Sequence, residues 1–181
     1  MRRTLTLHPG FRCAAVSGVE VEVARPGPGL LALRYTVRGR IEEVSLPPLS
    51  APERADGLWR RTCFEAFVRP ADGESYYEFN LAPSTQWAAY RFDRYRQGME
   101  PADGGVAAMK VRAAEETFEL DATLDLGALA RGDGAWRLAL TAVIEEAGGG
   151  ISYWALAHPP GKADFHHPDG FVLDLPGSGR R

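Results

Sequence analysis

Leu31-Ala32-Leu33-Arg34-Tyr35-Thr36-Val37-Arg38 sets apolar residues at every second position, against a mostly polar second row. Phe118-Glu119-Leu120-Asp121-Ala122-Thr123-Leu124-Asp125 repeats the pattern, and Val19, Val21 and Val23 alternate with Glu20 and Glu22 in the same way. A period of two puts one row of side chains in a core and the other in water, which is how an antiparallel sheet with one covered face reads. Working outward, strands are expected near residues 11–16, 19–24, 30–38, 62–69, 74–82, 87–95, 106–113, 117–125, 135–145 and 151–157, with a short one near 171–174. Pro26-Gly27-Pro28-Gly29, Pro70-Ala71-Asp72-Gly73, Asp103-Gly104-Gly105 and Gly148-Gly149-Gly150 supply the reversals between them. About ten short strands spaced by turns predict an all-β antiparallel sandwich, jelly-roll or immunoglobulin-like. The one helix-like piece runs from Asp125 to Arg131.

The chain has 181 residues, 45% apolar and 25% charged, the size and composition of one globular domain. No repeat or linker divides it, so residues 1–181 are expected to form a single domain, with 177–181 a disordered tail. The net charge of −3 and the absence of a basic block argue against nucleic acid as a partner. No stretch approaches the ~20 apolar residues of a membrane span. The N-terminus lacks the apolar run of a secretory signal, so the expected location is the cytoplasm. That location suits free thiols, and the two cysteines, Cys13 and Cys63, form no CxxC motif. A Cys13–Cys63 bridge is left open. Three segments read as surface loops: Pro47 to Gly57, Gln97 to Gly105, and His158 to Gly170.

The densest chemistry lies in a hairpin around Asp72-Gly73. On its first strand Phe64, Ala66 and Val68 share one face, and on its second Tyr77, Phe79 and Leu81 do the same. The opposite face then carries Glu65 with Glu78 and Asn80, flanked by Tyr76 and by Trp59. The simple reading of such a face is a solvated one. The sharper reading is a sugar site, because carboxylate and amide groups bond hydroxyls while aromatic rings receive the C–H faces of the sugar. Trp87, Trp136 and Trp154 lie in strand patterns and read as core.

The run Trp59…Cys63-Phe64-Glu65-Ala66-Phe67-Val68, then Tyr76-Tyr77-Glu78-Phe79-Asn80-Leu81-Ala82-Pro83 and Trp87-Ala88-Ala89-Tyr90, resembles carbohydrate-binding modules of family nine. The run from Ser152 to His167 is similar to small bacterial DOMON-like proteins. The resemblance implies a non-catalytic module that holds a small sugar or sugar terminus between two tryptophans. By position Trp59 is one wall, Glu65 a hydrogen-bond acceptor and Asn80 a second polar contact, and Trp154 is the candidate second wall. It also implies a possible calcium ion, which no residue pattern here locates, and, for some DOMON domains, a b-type haem held by a Met and a His. Met99 or Met109 with His158 or His166 would be the candidates.

The loop His158-Pro159-Pro160-Gly161-Lys162-Ala163-Asp164-Phe165-His166-His167 is the second constellation. Three histidines and an aspartate have metal-ligand chemistry, although no zinc spacing is present. The alternative is a polar rim of the sugar site made by His158, Lys162, Asp164, His166 and His167. Glu65 and Glu78 have the residue types of a glycosidase pair, and side chains directly opposite on paired strands lie ~5 Å apart. Motifs of other enzyme classes are absent, so no catalytic residues and no cofactor are expected. A further alternative is a protein-interaction domain with a degenerate sugar site.

Overall fold

A computed structural model describes residues 1–127 and 134–177. Within them the chain is all β, as its alternation dictates: β1 (Arg2–Leu7), β2 (Val16–Gly27), β3 (Leu30–Gly39), β4 (Cys63–Pro70), β5 (Tyr76–Leu81), β6 (Trp87–Phe92), β7 (Glu100–Pro101), β8 (Gly105–Ala113), β9 (Thr117–Asp125), β10 (Trp136–Glu145), β11 (Ile151–Ala155) and β12 (Leu173–Leu175). These strands pair antiparallel, in the order β7-β6-β5-β4-β10-β11-β1-β2-β3-β9-β8, with β12 beside β10. β1 joins the two layers. Its residues Arg2 to Leu5 pair with β2, and Thr6 and Leu7 pair with β11. The path curls through this strand, so the β8-β9-β3-β2 layer lies over the β6-β5-β4-β10 layer as a sandwich.

The core between the layers is made of the rows that the alternation marks. Val19, Val21, Leu33, Tyr35, Leu120 and Leu124 face Phe64, Ala66, Phe79, Leu138, Leu140 and Ile144, all buried in one cluster. Each such side chain contributes about 1.5–3 kcal/mol on burial. The Tyr35 hydroxyl, deep in this layer, donates to the Glu65 carbonyl at 2.8 Å and so ties the two sheets together.

Three sequence expectations need correction. The expected strand at 11–16 does not form; the N-terminal strand is β1, which lacks a long apolar run and earns its place by bridging the sheets. The loop expected over 97–105 contains the two-residue β7, held against β6. The expectation of one wet face fails for β4 and β5, where every residue from Cys63 to Val68 and from Tyr76 to Leu81 is buried. The reason is local: Phe165 and Phe171, from the 156–172 segment, pack on the outer side of β4, β5 and β6 against Phe67, Tyr76 and Phe92. The bridge left open from sequence does not form: both cysteines are free thiols, Cys63 buried and Cys13 half-buried. The helix-like piece and the tail fall largely on residues 128–133 and 178–181, outside the described residues.

Candidate functional site

The covered outer face of the second sheet holds a cavity of about 380 Å³, within the usual range for small-molecule sites. Its floor is sheet: Glu65 from β4, Glu78 from β5, Val143 from β10 and Tyr153 from β11. Its walls are loop: Phe165 and His166 on one side, Arg96 and Met99 on another, and Trp59 at the mouth. Strict alternation explains the floor. Because Phe64, Ala66 and Phe79 must face the core, Glu65 and Glu78 are forced to the other side. There the loops bury them, leaving 3% and 5% exposed.

The register corrects the geometry assumed for a glycosidase pair. Glu65 lies opposite Asn80, and Glu78 opposite Phe67, so the two glutamates are diagonal rather than facing. The Glu65 carboxylate accepts from the Thr141 hydroxyl at 3.2 Å. Glu78 accepts from the Asn80 side-chain amide at 2.8 Å. Asn80 is fully buried and turns its other atom to Cys63, so it orients Glu78 from behind and does not line the cavity. Tyr76 also stands behind the wall. Its hydroxyl meets Nδ1 of His166 at 2.8 Å and accepts the backbone N–H of Arg96 at 3.2 Å.

Burial decides the protonation of this floor. Loss of water, reinforced by the neighbouring Glu78, pushes the Glu65 carboxyl well above the ordinary carboxylate range. Burial raises Glu78 to about 7, against the opposing pull of Asn80 and Arg96. Burial and the Arg96 charge lower His166 to about 4. His166 Nε2 is 3.7 Å from Glu78, too far for a hydrogen bond, and at neutral pH the imidazole carries no charge to make an ion pair.

The wall is fastened by Asp164. Its carboxylate takes the Arg96 guanidinium at 2.8 Å, the Tyr95 hydroxyl and the His166 backbone N–H at 3.1 Å. Burial would raise its pKa, but Tyr95 and Arg96 outweigh that and hold it below the ordinary value. Arg96 itself takes a left-handed backbone (φ 54°), a conformation that costs a non-glycine residue about 1–2 kcal/mol. At the mouth, Gly57 (φ 76°) turns the chain into the 3-10 turn Leu58–Arg60. That turn leaves Trp59 38% exposed and edge-on to Tyr90 at 6.2 Å. Tyr90 in turn donates to Asp56, which anchors the loop.

Of the residues singled out from sequence, Trp59, Glu65, Glu78 and His166 meet around one cavity. Trp154 does not. It sits on the inner face of β11 in the core, its indole N–H donating to Ser152 at 3.0 Å. An odd shift of one residue along a strand reverses the face, so Tyr153 stands where Trp154 was expected. The 158–167 loop also divides. His158 turns away to Thr6 and stacks edge-on with His8, Lys162 is exposed, and His167 caps the Pro168–Gly170 turn. Among the described residues, no group of three or more His, Cys, Asp or Glu is placed to hold a metal ion. The haem ligands do not fit either. Met109 lies on β8 in the other layer. Met99 and His166 do border the cavity, but Nδ1 of His166 is engaged by Tyr76 and Nε2 faces Glu78.

Arg96, Phe92, Val143 and Tyr153 were not found by sequence reasoning, and Met99 was raised only as a haem ligand. Phe92, Val143 and Tyr153 were recoverable from strand parity. Arg96 and Met99 come from a turn whose approach to the cavity is a tertiary fact.

No protein-family model matches this sequence, and no curated protein does so. Solved structures do match. The fold is similar to that of a candidate carbohydrate-binding protein from Bacteroides uniformis, with a TM-score of 0.67 and 14% identity over 94% of this chain and 84% of that one. It is also similar to a family 9 carbohydrate-binding module from Caldicellulosiruptor kristjanssonii in complex with glucose, with a TM-score of 0.52 and 12% identity over 95% of this chain and 86% of that one. At these identities the likeness is one of fold: the chain shares the β-sandwich architecture of these two proteins. Among the described residues, no helix is long and apolar enough to cross a membrane.

Proposed function

We propose that this protein is a non-catalytic, DOMON-like sugar-binding module that takes a small sugar or an oligosaccharide end into the cavity on its second sheet. The observation that carries the reading is the joining, in one cavity of about 380 Å³, of two buried carboxyl groups on rigid strands with an exposed tryptophan at the mouth. The glucose complex of a similarly folded module supports it. Trp59 stacks on the ring, with Tyr153 or Phe165 as the opposing aromatic surface. Glu65 and Glu78 bond hydroxyls, as acceptors when ionised and as donors when protonated. Asn80 and Tyr76 hold Glu78 and His166 in place. Asp164 fastens the rim, and His158, Lys162 and His167 stand outside it. The free thiols of Cys13 and Cys63 support a reducing, cytoplasmic setting.

Affinity in the range of roughly 10 μM to 1 mM is expected, about −7 to −4 kcal/mol. Titration with glucose and other monosaccharides, followed by tryptophan fluorescence, tests the reading. A saturable change that weakens at least tenfold in Trp59→Ala is expected. Unchanged affinity in that variant would rule out stacking at the mouth. Turnover of nitrophenyl glycosides abolished in both Glu65→Gln and Glu78→Gln would replace binding with catalysis.

A further inference from the structure

We infer that the ligand carries a positively charged nitrogen, an amino sugar rather than a neutral one, and that its ammonium group sits on Glu65 beneath the aromatic rings of the cavity. The inference rests on the sugar-binding reading and narrows its substrate class.

Charge and burial carry it. A carboxylate taken out of water must gain a cation or a proton, and proteins ordinarily provide an arginine or lysine for it. Glu65 is 97% shielded, and its only side-chain hydrogen bond among the described residues is from the neutral hydroxyl of Thr141. The groups that face it are few. From β5 come Glu78 and the amide of Asn80, from its own strand the thiol of Cys63, and from the sheet beneath the phenol of Tyr35. From the loops come His166, neutral at physiological pH, and Arg96. Among the described residues Arg96 is the one cation on the cavity wall, and its guanidinium is bound to Asp164. The cavity lining therefore holds two carboxyl groups, Glu65 and Glu78, beside one guanidinium whose charge Asp164 already takes.

The walls agree with this charge count. Trp59, Phe92, Tyr153 and Phe165 bring four aromatic rings to the same space. Rings around an anionic floor suit an ammonium group, which gains from π faces and from carboxylate together. A neutral hexose would use the rings but would leave the two buried carboxyl groups dependent on their protons.

Before any ligand binds, the compensation is protons, since burial raises both Glu65 and Glu78. An incoming ammonium then displaces a proton: the carboxyl O–H bond breaks, the proton goes to solvent, and the carboxylate left behind pairs with the nitrogen. Amine binding is thereby coupled to proton release and strengthens as pH rises toward 7.

Isothermal titration of the whole protein with glucosamine and with glucose, at pH 5.5 and pH 7.0 and in two buffers of different ionisation enthalpy, tests this. The expected result is at least a tenfold preference for glucosamine at pH 7.0, a smaller preference at pH 5.5, and a buffer-dependent enthalpy that reports proton release. In Glu65→Gln the preference ratio falls toward one, with thermal melting confirming that the variant is folded. If that variant fails to fold, the wild-type ratio and proton count decide alone. Saturable glucose binding with equal or weaker glucosamine binding overturns the inference and leaves the sugar reading standing. No binding of either sugar overturns both.

Discussion

At the residue scale, the site turns on single side chains whose surroundings set their charge. Glu78, raised to about 7 by burial, holds its proton in the folded chain above the pH at which the unfolded chain loses it. Its contribution to stability is therefore complete below about pH 4.5 and lost as pH rises to about 7, by about 3 kcal/mol at most. Glu65 acts in the same sense. His166 acts in the opposite one. Lowered to about 4, it stays neutral when folded, so its contribution is present above about pH 6.5 and lost as pH falls toward 4. Glu78→Gln should flatten the decline of stability between pH 4.5 and 7, and His166→Gln should steepen it. Urea midpoints measured across that window check both, and an unchanged slope in Glu78→Gln would contradict the buried, protonated carboxyl. Trp59 and Trp154 differ just as sharply. Trp154→Ala removes core packing and should cost about 3–5 kcal/mol. Trp59→Ala, at an exposed position, should change the melting temperature little and act on binding instead.

At the scale of elements, β4 and β5 show what alternation can and cannot reveal. The parity of Phe64, Ala66 and Val68 against Glu65 and Phe67 was legible in the sequence, and so were the shared face of Glu65, Glu78 and Asn80 and the hairpin that joins them. Burial of that face was not legible, because it depends on Phe165, His166 and Phe171 returning from nearly a hundred residues away. Parity also corrected Trp154, since in a two-residue period a tryptophan next to a tyrosine must take the opposite face. β1 was missed because its value lies in pairing two sheets rather than in its own apolar pattern. The wall is held by hydrogen bonds rather than by ladder pairing. Tyr76→Phe removes the hydroxyl shared by His166 and the Arg96 backbone. A loss of about 1–3 kcal/mol in chemical denaturation, together with weaker sugar binding, is expected. A variant as stable and as tight-binding as the wild type would show that the 93–98 turn and the 156–172 segment are held by other contacts.

At the scale of the whole molecule, the two layers have different duties. The β8-β9-β3-β2 layer presents ion pairs such as Arg34–Asp121 and Arg112–Glu119 to solvent, each worth little on its own. Its inner face completes the core. The β6-β5-β4-β10 layer is covered on both sides and carries the cavity, so the sandwich acts as a rigid floor for a site finished by loops. The same division predicts thiol behaviour: Cys13, half-buried, should react with a thiol reagent in the native protein, and Cys63 only after unfolding. Equal native reactivity of both would contradict the covered outer face. The central claim, that this face holds the ligand, is tested most directly by a crystal structure of the protein with glucose or glucosamine. Sugar density is expected in the cavity, with its ring against Trp59 and its polar groups at Glu65 and Glu78. Sugar bound on the other layer or at the sheet edges, with this cavity filled only by water, would contradict it.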